Sequence, residues 1–249
     1  MGVRPVGART WNTRRLANYR GASAATSPTL EYDGAGVLTV AWAVYGDRTF
    51  VAERHTRAGG KWSRVRHVAE HEGGGYEAVD LAVNAAGDAV LGWRGPSLQK
   101  IQVIRRVDGV WGPAVSWNHG LLVDVAIGAD GTAAALVTRT DNGDSSLHIS
   151  RSLAGGDWSR LAPVGTRPTD EVLDATGLVV DAAGTVTAAW RELAIGQRRW
   201  QIRSVRAQLG DRGRLRPACS GTPARSMAPS WSSSATAAWW RWLSTTPAG

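Results

Sequence analysis

Four times along the chain an apolar run breaks at a four-residue turn that closes on glycine, and a second apolar run follows. The turns are Asp33-Gly-Ala-Gly36, Asn84-Ala-Ala-Gly87, Gly128-Ala-Asp-Gly131 and Asp181-Ala-Ala-Gly184. A short hairpin loop of this kind is a type I turn followed by one residue at positive φ. Glycine takes that position without steric cost. Asp or Asn at the first corner bonds its own backbone two residues on. The closing glycines step by 51, 44 and 53 residues. Six residues past them stand Trp42, Trp93, Val137 and Trp190.

A second box keeps the same beat. Trp11, Trp62, Trp111 and Trp158 step by 51, 49 and 47 residues, and a degenerate copy at Gly213-Arg-Leu215 follows 57 residues later. Between hairpin and box lies a third alternating run: FVAERHT, IQVIRRV, LHISRS and WQIRSVR. Each unit therefore holds about four short strands. A period near 50 with four strands reads as a propeller blade. The fold expected is all-β, a β-propeller or open arc of four-stranded antiparallel blades.

The blades are expected at about 28–70, 76–117, 121–165 and 171–220. Residues 1–27 hold what looks like the outer strand of a blade whose first three strands are missing, plus a linker. In many propellers such a strand completes the last blade; alternatively the chain is a piece of a longer one. Residues 221–249 show neither alternation nor hairpin signals, and hold four tryptophans among small polar residues. They read either as a frame-shifted fifth repeat or as a low-complexity tail, and both predict disorder.

Composition narrows the function classes. No apolar run approaches 18 residues, so no transmembrane helix is expected. The net charge is +8, but the arginines are scattered over all repeats among interleaved acids. That pattern points away from a nucleic-acid groove. Cys219 is the single cysteine, which excludes an intrachain disulfide. The five histidines show no metal-ligand spacing, so no metal or cofactor is expected. The first residues carry charge but no apolar core, so no export signal is expected here; the chain taken alone reads as cytoplasmic. No nucleophile motif occurs, and no catalytic residue is named.

Hairpins of the form V-x-D-A-A-G-x-x-x-x-x-W, each followed by G-G-x-W-S, resemble the sialidase-like or Asp-box-like propeller repeats of actinobacteria. The resemblance spans about residues 10–220. The strict box S-x-D-x-G-x-T-W is not met: Arg57 and Leu153 stand where its aspartate would be. The resemblance implies a secreted protein that either binds glycans or cleaves them. It also implies an anion clamp, for which Arg94, Arg139 and Arg191 are the candidates. Trp42, Trp93 and Trp190 have two readings: sugar-stacking platforms, or wedges between blades. The expected role is a non-enzymatic scaffold for a glycan or protein partner. The alternatives are a degenerate sialidase-type hydrolase and a truncated, inactive product.

Overall fold

The computed structural model describes residues 2–3, 12–13, 15–19, 24–26, 28–45, 48–57, 60–72, 79–94, 100–118, 120–141, 144–164, 176–194 and 199–207. All belong to the unit Met1–Ala218. The expectations for 208–220 as the end of blade four and for 221–249 as a tail lie outside the described residues. Among the described residues every regular element is a strand.

Strands β1 (Gly2–Val3) and β2 (Asn12–Thr13) form a small ladder of their own. Blade one carries β3 (Ala24–Ala25) and β4 (Thr29–Tyr32), both paired with β5 (Val37–Tyr45), then β6 (Arg48–Arg57) and β7 (Arg66–Glu72). Blade two runs β8 (Val79–Val83), β9 (Ala89–Arg94) and β10 (Lys100–Val107), with β11 (Val110–Trp111) and β12 (Val115–Asn118) both on β10. Blade three is β13 (Gly120–Ile127), β14 (Ala133–Asp141), β15 (Asp144–Ser152) and β16 (Ala162–Pro163). Blade four is β17 (Thr176–Val180), β18 (Val186–Ala194) and β19 (Arg199–Ala207). All pairings are antiparallel. The architecture is thus all-β, a series of propeller blades, each a meander.

The turns form as the sequence dictates. Gly36, Gly87, Gly131 and Gly184 all have φ between 71 and 88°. Asp33 Oδ1 accepts the N–H groups of Ala35 and Val37, and Asp181 Oδ1 those of Ala183 and Thr185. The third turn opens on glycine for a tertiary reason. A Cβ on Gly128 would stand 2.8 Å from the Asp181 carbonyl of the next turn, so no side chain fits. Asp130 takes over the role and accepts from the backbone and hydroxyl of Thr132.

Side chains alternate between the two faces of each strand. Positions two, four and six past the closing glycine face the preceding blade; positions three, five and seven face the following one. Leu81, Leu91 and Trp93 pack on Ala41, Ala43 and Val51 of blade one. Val125, Ala133 and Ala135 pack on Val90 and Val103 of blade two. Leu178, Val186, Ala188 and Trp190 pack on Ala134, Leu136, Leu147 and Ile149 of blade three. The core is therefore three seams between sheets, and each fully buried aliphatic or aromatic side chain contributes about 1.5–3 kcal/mol.

Residues 15–19 form no ladder. Leu16, Ala17 and Tyr19 instead pack on the preceding face of blade one, over Leu38, Val40 and Trp42. The Leu16 carbonyl accepts from Arg54. Burial pushes the Tyr19 hydroxyl above its ordinary pKa.

Candidate functional site

The innermost strands β4, β8, β13 and β17 lie side by side in chain order. Seven residues before the closing glycines they carry Thr29, Asp80, Asp124 and Gly177. The two aspartates do one job at this register. Asp80 Oδ2 accepts the Val125 N–H of the next blade at 2.8 Å. Asp124 Oδ2 accepts the Leu178 N–H of the blade after that, also at 2.8 Å. Each carboxylate thus caps a backbone donor on a neighbouring inner strand, and such charge-assisted bonds are about twice as strong as neutral ones.

The two carboxyls also meet each other. Burial first, then the charge of Asp80 and a hydrogen bond to it, push the Asp124 carboxyl from its usual range up to about 7. The backbone N–H groups of Leu178 and Val125 work in the opposite direction. Asp124 is therefore partly protonated near neutrality. Glu31, on β4, is raised above its ordinary value by burial and then by Asp80. A line of acids along three inner strands is the most unusual electrostatic feature of the described residues. The sequence reading passed over it. The signal was present: Asp80 and Asp124 stand at the same offset from Gly87 and Gly131.

The anticipated arginines lie elsewhere. Arg94, Arg139 and Arg191 are half-buried on β9, β14 and β18, at the ends remote from the turns. By side-chain alternation, Arg94 faces blade three and Arg139 faces blade two, so these two share a seam. Arg191 is on the face of blade four turned away from blade three.

Trp93 and Trp190 sit inside seams, and Trp42 lies on the preceding face of blade one beside Leu16, Ala17 and Tyr19. Trp93 has no exposed surface and donates its ring N–H to Gln102 at 3.1 Å. Trp42 and Trp190 are buried as well. All three side chains are at most 6% exposed. The box tryptophans are half-buried: Trp111 donates to Glu53 at 2.8 Å in the first seam, Trp158 packs edge-on to Trp117 in the second, and Trp62 lies under Arg54 on the preceding face of blade one.

Among the described residues no group of His, Cys, Asp or Glu could hold a metal ion. No helix of the described residues is long and apolar enough to cross a membrane.

No family model matches the chain, and no curated protein matches it. Solved structures do. The fold is similar to that of a protein of unknown function from Dyadobacter fermentans, with a TM-score of 0.53 at 16% identity over 74% of this chain. The match spans 65% of that protein's length. A weaker likeness, TM-score 0.41 at 13% identity, is to an alpha-L-arabinofuranosidase from Podospora anserina, over 80% of this chain and 68% of that one. Another, TM-score 0.41 at 12% identity, is to an endo-arabinase from Bacteroides thetaiotaomicron, over 74% and 75%.

Proposed function

We propose that the chain is a non-enzymatic β-propeller scaffold for a glycan or protein ligand, bound at the strand ends that carry Arg94 and Arg139. The observation that carries this reading is the use made of the inner-strand acids. Glycoside cleavage needs two carboxyl groups about 5–9.5 Å apart, with the sugar between them. Asp80 and Asp124 raise each other's cost of ionising rather than flanking an open cleft, and each is spent on the next blade's backbone. The seam shared by Arg94 and Arg139 brings two guanidinium groups to one edge, which suits an anionic group on the ligand.

A second reading, a degenerate sialidase-type hydrolase, has one observation in its favour. An acid held near pH 7, as Asp124 is, falls in the range of a general acid.

One experiment separates the two. The full chain is screened on an array of neutral and anionic glycans, then incubated with fluorogenic arabinofuranosides and sialosides. The scaffold reading expects retention of an anionic glycan, weakened about tenfold by Arg139→Ala, with no turnover. Turnover that Asp124→Asn abolishes would replace it with the hydrolase.

A further inference from the structure

The repeat allows the same position to be compared in all four blades. Four residues past each closing glycine stand Val40, Leu91, Ala135 and Ala188, paired across the inner ladder with Leu30, Leu81, Val125 and Leu178. Leu81, Val125 and Leu178 are buried by the blade before them. Leu30, at the head of the series, is 46% exposed. Tyr32 beside it, on the same face, is exposed too.

The other end of the series shows the converse. Seven residues past the closing glycines, the partners on the third strand are Val51, Ile101, Leu147 and Ile202. The first three are buried by the blade that follows. Ile202 is 77% exposed, and Val179 on the same face is exposed as well.

A charged position tells the same story. Arg105, Arg151 and Arg206 share one register, opposite the residue three past the closing glycine. Arg105 reaches forward to the Gly131 carbonyl and to Ser152 and Leu153 of blade three. Arg151 reaches forward to the Ala207 carbonyl of blade four. Arg206 turns back onto Asp181 of its own blade at 3.1 Å, with most of its side chain in solvent.

The described residues thus leave exposed the inner-strand part of the preceding face of blade one, Leu30 and Tyr32, and the following face of blade four at Val179 and Ile202, while Leu38, Val40 and Trp42 of the blade-one face are already buried. The counterparts of the exposed residues, Val51 with Leu81 and Leu147 with Leu178, meet in existing seams. The cover already on blade one fits this. Leu16, Ala17 and Tyr19 lie where a preceding blade's outermost strand would lie, and blade four shows three strands among the described residues. We propose that the following face of blade four docks on the preceding face of blade one in a second copy of this chain, as a fourth seam of the same kind. Ile202 and Val179 then cover Leu30 and Tyr32. Arg206 leaves Asp181 for the Gly36 carbonyl and Thr56, the counterparts of Gly131 and Ser152. Residues 15–19 come to lie beside β19. The contact is heterologous, head to tail. Two such contacts between two chains would give a ring of eight blades, within the range that propellers adopt.

The test uses the full chain and measures mass in solution by light scattering and sedimentation, over about a hundredfold range of concentration. The wild type is expected to associate as concentration rises. Ile202→Asp and Leu30→Asp each place a carboxylate in the seam and are each expected to weaken association about tenfold or more. Mixed one to one, they still share one intact pair of faces and are expected to form a two-chain species and nothing larger. Circular dichroism checks that each variant is folded; Tyr32→Asp replaces Leu30→Asp if it is not. A wild type that stays monomeric overturns the proposal. So does a mixture that stays monomeric, and so does self-association that survives Ile202→Asp.

Discussion

The seam between blades one and two and the seam between blades two and three are built on the same repeat yet held by different polar devices. In the first, Arg106 pairs with Glu53 at 3.0 Å, and both side chains are buried. Glu53 also accepts from Trp111, and Arg106 reaches Thr39 and the Gly87 carbonyl. Both sheets supply partners to the ion pair. In the second seam single charges meet backbone groups of the facing sheet. Arg105 donates to carbonyls of blade three, and Asp80 accepts the Val125 N–H. Burial depresses the Arg105 pKa below its ordinary value, with Asp88 and Asp130 acting against that. The apolar repeat sets the spacing of the sheets. The polar residues that lock each seam are free to differ, so long as every buried charge finds a partner.

Breaking the first seam should have the largest effect. Arg106→Ala leaves Glu53 buried with an uncompensated charge and is expected to cost about 3–5 kcal/mol. Arg105→Ala removes a donor from carbonyls and is expected to cost about 1–3 kcal/mol. Urea unfolding of the two variants measures the contrast, and equal losses would mean that the seams do not differ in kind.

A second pair sharpens the role of burial. Leu81→Ala empties part of the first seam and is expected to cost about 2–5 kcal/mol. Leu30→Ala, at the equivalent position in blade one, is expected to change the stability of dilute protein by about 0.5 kcal/mol or less. Thermal melts at low concentration would show it.

A smaller effect than the loss of either seam is the dependence on pH. Asp124 holds its proton in the folded chain up to about pH 7, far above its ordinary pKa of 3.8. The folded state therefore binds more protons than the unfolded one between these values, and stability falls as pH rises through that window. With solvent screening allowed for, the fall is on the order of 1–2 kcal/mol. Asp124→Asn keeps an acceptor for the Leu178 N–H and is expected to flatten the profile. A variant whose melting temperature still drops between pH 5 and pH 8 as the wild type's does would place the titration elsewhere.

Much of the blade was legible from residues alone. The turn at Asp181–Gly184 closes through bonds between residues at most four apart, and its positive φ needs glycine whatever surrounds it. The strands after each turn alternate with period two, which fixes their two faces before any neighbour is known. Less of the candidate site could be read. Trp93 has the same residue type and offset whether it wedges a seam or greets a sugar, and only the sheet across from it decides.

The chain's own order of residues determined the hairpins, the repeat of 44 to 53 residues and the side of each strand that is apolar, because all three depend on groups within a few bonds or one strand of each other. Tertiary structure decided which side chains are spent on what. Asp124 becomes a partly protonated cap because Asp80 and Leu178 arrive beside it from other blades. Arg105 and Arg206 occupy one register with opposite fates because a sheet lies ahead of the first and solvent ahead of the second. Desolvation depends on what the rest of the chain brings near, and no local pattern contains that.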